Sequence, residues 1–150
     1  MNRRFGHALL VMMLMLGLWQ SLGVPVLHAQ EGEVLRVDEV IKNTDPATMT
    51  KAQIKAYFDK VKGKEARGEG TVTDVLPPGG WVRDYFRVTI LTPASNPEKG
   101  YNVVLYTKQE AVSDLKMNDK VSFEGKLHRI SSVKGGSVDV VGSYKILGAK

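Results

Sequence analysis

The sequence predicts a mainly β chain: a small five-stranded barrel with an N-terminal helix and a short helix between its third and fourth strands. Three observations lead there. After about residue 65, apolar side chains recur at every second position over five separate stretches. Clusters of Pro, Gly, Asn and Asp divide those stretches. Ahead of them lies one stripe of helical period, and the 150 residues contain no cysteine, so the barrel must hold without disulfides.

The elements follow in order. Residues 1–29 have the layout of a secretory signal peptide, with Arg3 and Arg4 ahead of an unbroken apolar run from Ala8 to Leu18. Gly23 and Pro25 break the run, and Ala29 offers a cleavage site. The competing reading is an uncleaved N-terminal anchor, which Gln20, Ser21, Gly23 and Pro25 weaken. Residues 30–49 read as an N-terminal arm lying on the domain, with a helical turn near 38–42 ended by Asn43, Asp45 and Pro46. The domain itself is placed at 50–150. It opens with a helix over 50–61, where Thr50 and Gln53 make a capping box and Ile54, Tyr57, Phe58 and Val61 share one face.

The five strands are expected at 68–76, 83–91, 101–107, 120–130 and 137–147, with a short helix over 109–115. Pro77-Pro78-Gly79-Gly80, the loop 93–100, Asn118-Asp119 and Lys134-Gly135-Gly136 supply the breaks. Gly70, Gly125 and Gly142 fall within strands, where they relieve crowding in a tightly coiled barrel. Three strands, a short helix and two more strands is the layout of the OB-fold. Another five-stranded barrel or a sandwich would show the same alternation.

The charge balance changes once residues 1–29 are set aside. The chain has 21 Lys and Arg against 16 Asp and Glu; without Arg3 and Arg4 the remainder carries 19 against 16, a net charge of +3. That is too mild to mark a nucleic-acid binder by itself. Without cysteine there is no thiol nucleophile, no thiolate metal site and no lipidated cleavage site. His128 is the one histidine after the signal segment, so a histidine-based metal centre is not expected. Asp74 and Asp84 could be drawn as an acid/base pair, but solvated loop charges account for them more simply. Pro77-Pro78-Gly79-Gly80 lacks the Lys-Ser/Thr and the helix of a phosphate loop. No enzyme activity, cofactor or metal is expected.

Two segments carry a resemblance: the basic Lys62-Gly63-Lys64 lead into a strand containing Gly70-Thr71-Val72, and the run Leu115 to Leu127, in which an Asn-Asp turn launches a strand bent by Gly125. Over about residues 57–147 the chain resembles the OB-fold domains of exported bacterial proteins, including the tRNA-anti-like group and the periplasmic bacterial OB-fold (BOF) proteins. The resemblance implies a barrel and a periplasmic setting. Its motifs build the barrel and assign no site.

OB-folds commonly bind on the face of their second and third strands, framed by the loops after strands one and four. The expected outward set there is Tyr85, Arg87, Asn102, Tyr106 and Lys108, with Trp81 and Arg83 in the first loop and His128 and Arg129 near the fourth. Aromatic rings among Arg and Lys suit single-stranded nucleic acid, sugar rings or an acidic peptide. A plain cross-strand Tyr85–Tyr106 pair is the structural alternative. The expected function is a non-catalytic binding module of the bacterial envelope, exported and periplasmic, with secretion or N-terminal anchoring as alternatives. Its partner would be a small ligand, an envelope polymer or an envelope protein. A single-stranded nucleic-acid binder and a structural envelope protein are the rival readings. No stable membrane span is expected after cleavage.

Overall fold

The computed structural model describes residues 33–79, 82–95, 97–131 and 136–148. The expected signal segment, Trp81 and Gly80 lie outside the described residues. The elements in chain order are β1 (Leu35–Arg36), α1 (Val37–Lys42), α2 (Lys51–Val61), β2 (Glu65–Leu76), β3 (Phe86–Leu91) and β4 (Val103–Thr107). A 3-10 helix (Glu110–Asp114), β5 (Lys120–Ser131) and β6 (Ser137–Ile146) complete the series.

The strands run in the order β1-β2-β3-β4-β6-β5, and a β2–β5 pairing closes the barrel. The β4–β6 pair is parallel, whereas β2–β3, β3–β4, β5–β6 and β2–β5 are antiparallel. With the short helix between β4 and β5, this is the connectivity of an OB-fold. A single long strand serves both sides of the barrel. Residues 65–71 of β2 pair with β5, and residues 71–76 pair with β3. The register shift between Val72 and Asp74 is the bulge that bends the strand between its two partners.

Alternation places the core. Val72, Val88, Ile90, Val103, Leu105, Val121, Leu127, Val138 and Val140 are buried inside the barrel, and Phe123 fills the space over Gly68. Truncating Ile90, Leu105 or Leu127 to Ala removes enough buried surface to cost about 2–5 kcal/mol. At Gly125 and Gly142, which are paired directly across β5–β6, the backbones cross too closely for a side chain. The Asn118 turn uses a left-handed residue (φ 73°), and the Asp119 carboxylate accepts the Lys116 N–H at 2.8 Å.

The N-terminal arm is part of the core and does not merely lie on the barrel. Leu35 and Arg36 pair in parallel with Ala66 and Arg67, and Val37, Val40 and Ile41 are buried. In α2 the Thr50–Gln53 capping box forms in both directions. Ile54 and Val61 are buried, and Tyr57 and Phe58 are half-buried against the core. Among the described residues no helix is long and apolar enough to cross a membrane.

The second barrel strand starts later than expected, at Phe86. Gly79 and Val82 form an isolated bridge, and Arg83 and Asp84 take the turn that follows. The third begins at Val103, although the Asn102 N–H still donates to the Ile90 carbonyl and its own carbonyl accepts the Val138 N–H.

Candidate functional site

On the outer face of β3, β4 and β6, side chains that alternation points away from the core are nevertheless covered. Arg87 of β3 stands directly opposite Tyr106 of β4. In the parallel pairing, Val104 aligns with Asp139 and Tyr106 with Val141. Tyr106 is 8% exposed and Asp139 is 6% exposed, so the floor of this face is a buried phenol and a buried carboxylate. The Tyr106 hydroxyl donates a hydrogen bond to the Asp139 carboxylate.

The fourth barrel strand supplies the cations. Leu127 pairs with Val140 and Arg129 with Asp139, so β5 carries one residue more than β6 across this step. The bulge sets both His128 and Arg129 against the single carboxylate of Asp139. Both side chains are exposed. From the 93–102 loop, Lys99 reaches the same neighbourhood, lying 4.7 Å from the centroid of the Tyr101 ring. At the other end of the face, Lys108 stands 4.9 Å over the Tyr85 ring. Each such pair contributes about 0.5–1 kcal/mol where it is exposed.

Electrostatics follow from this burial. Loss of hydration pushes the Asp139 carboxyl above the usual carboxylate range. Arg129, His128 and Lys99, together with the Tyr106 hydrogen bond, pull it partly back. Burial and the Asp139 charge raise the Tyr106 hydroxyl, opposed by Arg87 and Arg129, so the phenol stays a donor. Burial lowers Lys99, and Asp139 partly restores it. Arg87 Nε is buried and makes no hydrogen bond among the described residues. The result is an anionic floor under a cationic rim, with the rim reachable from solvent.

The expected set divides accordingly. Arg87, Tyr106, Tyr85 and Lys108 occupy the face, with Arg83 exposed in the turn beside it. Trp81 lies outside the described residues. Asn102 was expected to point outward with them, and the structure corrects this: it is 1% exposed. Its amide donates to the Thr92 carbonyl and hydroxyl and to Ser95, and its carbonyl accepts the Thr92 N–H at 2.8 Å. Asn102 therefore folds the loop that delivers Lys99 and is no part of a binding surface.

Asp139 escaped sequence reasoning. An aspartate between two valines in a strand looks like an ordinary solvated position, and only the parallel β4–β6 pairing buries it. The single available signal was an acidic residue set between Val138 and the Val140-Val141 pair.

A depression of about 780 Å³ lies elsewhere, lined by Arg67, Glu69, Lys120, Glu124, Ser143 and Lys145 among others. Arg67 stands opposite Glu124, and Ser122 separates Glu69 from Lys145 in register. Its charges are mixed in sign, and the buried Tyr144 hydroxyl and Asp38 Oδ1, neither with a hydrogen-bond partner among the described residues, belong to residues along it; Asp139 is not among its lining residues. The β3–β4–β6 face is the candidate site. Among the described residues no group of three or more His, Cys, Asp or Glu side chains is arranged to hold a metal ion.

No family model matches this chain, and no curated protein aligns with it significantly. Several solved structures are similar to it. OBody AM3L09, bound to hen egg-white lysozyme, is 18% identical, with a TM-score of 0.41 over 59% of this chain and 85% of that one. OBody AM2EP06, also bound to hen egg-white lysozyme, is 19% identical, with a TM-score of 0.39 over 59% and 83%. Schizosaccharomyces pombe Pot1pC bound to single-stranded DNA is 8% identical, with a TM-score of 0.37 over 59% and 82%.

Proposed function

We propose that the chain is an exported OB-fold binding module of the bacterial cell envelope, and that it holds an anionic ligand on the outer face of β3, β4 and β6 without catalysing a reaction. One observation carries this reading: three strands and one loop bring Arg87, Tyr106, Arg129, His128 and Lys99 together around the buried Asp139. Buried charge on the outside of a barrel is unfavourable for stability alone, and groups shifted in this way cluster at functional sites. The sequence of residues 1–29 supports export, and the cysteine-free remainder with its single exposed histidine supports binding over chemistry.

Calorimetric titration of the protein lacking residues 1–29 with an anionic envelope polymer tests this, against a neutral polymer of equal length. Saturable binding to the anionic polymer alone, abolished by Arg87→Ala with Arg129→Ala, is expected. Equal binding to both polymers would overturn it. A second reading, single-stranded nucleic acid, draws on the Tyr85–Lys108 and Tyr101–Lys99 pairs, since rings beside cations also make stacking platforms. Tight oligonucleotide binding with a steep salt dependence would favour it.

A further inference from the structure

Within this reading, the floor of the site indicates how its ligand is selected. We propose that Asp139 is a built-in competitor: its carboxylate occupies the field of Arg129, His128 and Lys99, and the phosphate or carboxylate group of a ligand docks on the rim of those same cations. The inference rests on the proposed binding face, and its failure can be told apart from the failure of that reading.

The geometry supports it in three ways. First, the carboxylate lies below and the cations above. Asp139 is 6% exposed, whereas His128 and Arg129 are exposed. An incoming anion meets the cations from solvent without displacing Asp139. Second, the bulge at Leu127/Arg129 gives one acidic residue two basic neighbours from a single strand, so the rim keeps a positive excess that Asp139 reduces without cancelling. Third, the carboxylate is fixed. Tyr106 donates to it from β4, and Tyr106 is itself held against Arg87 of β3. A fixed internal anion lowers the positive potential of the rim, and because the remaining attraction scales with the ligand's own charge, singly charged ligands are held weakly and multiply charged ones retained.

The charged and titratable groups facing Asp139 are His128 and Arg129 from β5, Tyr106 from β4, and Lys99 from the 93–102 loop. Arg87 and Tyr101 adjoin them through Tyr106. Burial raises the Asp139 carboxyl, so acidification discharges the competitor earlier than it would a solvated aspartate. Anion binding should therefore tighten on mild acidification.

The test is titration of the protein lacking residues 1–29 with inorganic tripolyphosphate and, separately, with citrate, from pH 4.5 to 7.5. Four proteins are compared: wild type, Asp139→Asn, Asp139→Asn with Arg129→Gln, and His128→Gln. Asn keeps the shape of the side chain and its acceptor for Tyr106. Removing one charge a few ångströms from the bound anion, in a partly hydrated site, should tighten binding about three- to tenfold at pH 7. The added Arg129→Gln should reverse that gain. Asp139→Asn should also flatten the pH dependence, whereas His128→Gln, which removes a rim group, should weaken binding. Equal or weaker binding by Asp139→Asn overturns the inference while leaving the binding face intact, provided wild type binds and the Asp139→Asn, Arg129→Gln double variant does not. Binding that survives every one of these changes overturns the face as well. Failure of both wild type and Asp139→Asn to bind either probe also refutes the competitor, since the neutral variant should unmask the rim. Circular dichroism of each variant separates these outcomes from misfolding.

Discussion

Replacing Gly142 with Ala should be among the most damaging single-methyl changes this barrel can receive. Gly142 and Gly125 face one another directly in the β5–β6 register. A Cβ on Gly142 would run into the Glu124 carbonyl and stand 2.6 Å from Gly125 Cα. Ordinary contact needs about 3.4 Å or more, so the two backbones must part by roughly 1 Å, and backbone has no rotamer to change. Overpacking of this kind costs about 1–3 kcal/mol. Stretching one or two neighbouring ladder hydrogen bonds adds about 0.5–1.5 kcal/mol each. Lower unfolded-chain entropy returns about 0.4–1 kcal/mol. The sum is a net loss of roughly 2–4 kcal/mol, a large share of the ~5–15 kcal/mol typical of a domain. Gly79→Ala is the control, because a Cβ there meets nothing within 4 Å. Urea unfolding followed by circular dichroism reads the difference as a lower midpoint at unchanged slope. If Gly142→Ala falls within 0.5 kcal/mol of Gly79→Ala, the close strand crossing is not what fixes these glycines.

Asn102→Ala leaves the Thr92 N–H and the Thr92 and Ser95 acceptors in need of new partners. It should lose about 1–3 kcal/mol and speed amide exchange across residues 92–102, while Asn102→Asp restores little. For Asp139 the pH dependence has a definite sign. Its folded carboxyl titrates above the unfolded value of 3.8, so over that window the native state binds more protons than the unfolded chain. Its contribution therefore favours the native state at low pH and is lost as pH rises through the raised value. Relative to Asp139→Asn, wild type should lose stability as pH rises from about 3.8, and parallel pH–stability curves would contradict the assigned burial. Thr50→Ala removes one side of a complete capping box and should cost about 1 kcal/mol, whereas Lys55→Ala at the exposed Lys55–Asp59 pair should change thermal stability by less than about 0.5 kcal/mol.

The barrel was legible in the sequence wherever one face of a strand is buried and the other wet. Val121, Phe123 and Leu127 alternate cleanly because β5 has such a face, and the strand lies at 120–131 against an expected 120–130. The Thr50–Gln53 cap and the Asn118-Asp119 turn were legible for a local reason, since their hydrogen bonds close within three residues. The candidate face was legible only in part. Arg87, Tyr106, Tyr85 and Lys108 sit on consecutive antiparallel strands or their ends, where parity alone assigns the side. Asp139 meets Tyr106 through a parallel pairing between strands about thirty residues apart, and no local signal sets that register. Arg129 is delivered by a one-residue bulge, whose one trace in the sequence is that the core-packed Ile130 follows Leu127 by three residues instead of two. Asn102 misled for the opposite reason: its parity is outward, but the loop at 92–95 folds over it.

The central claim concerns which side of the barrel holds the ligand, and amide chemical-shift mapping with an anionic probe such as tripolyphosphate tests it most directly. Shifts concentrated at Arg87, Tyr106, Asp139 and Arg129 are expected, fading as salt is raised. Shifts concentrated instead around Arg67, Lys120 and Lys145, in the depression of about 780 Å³, would contradict the account and move the site to the other face.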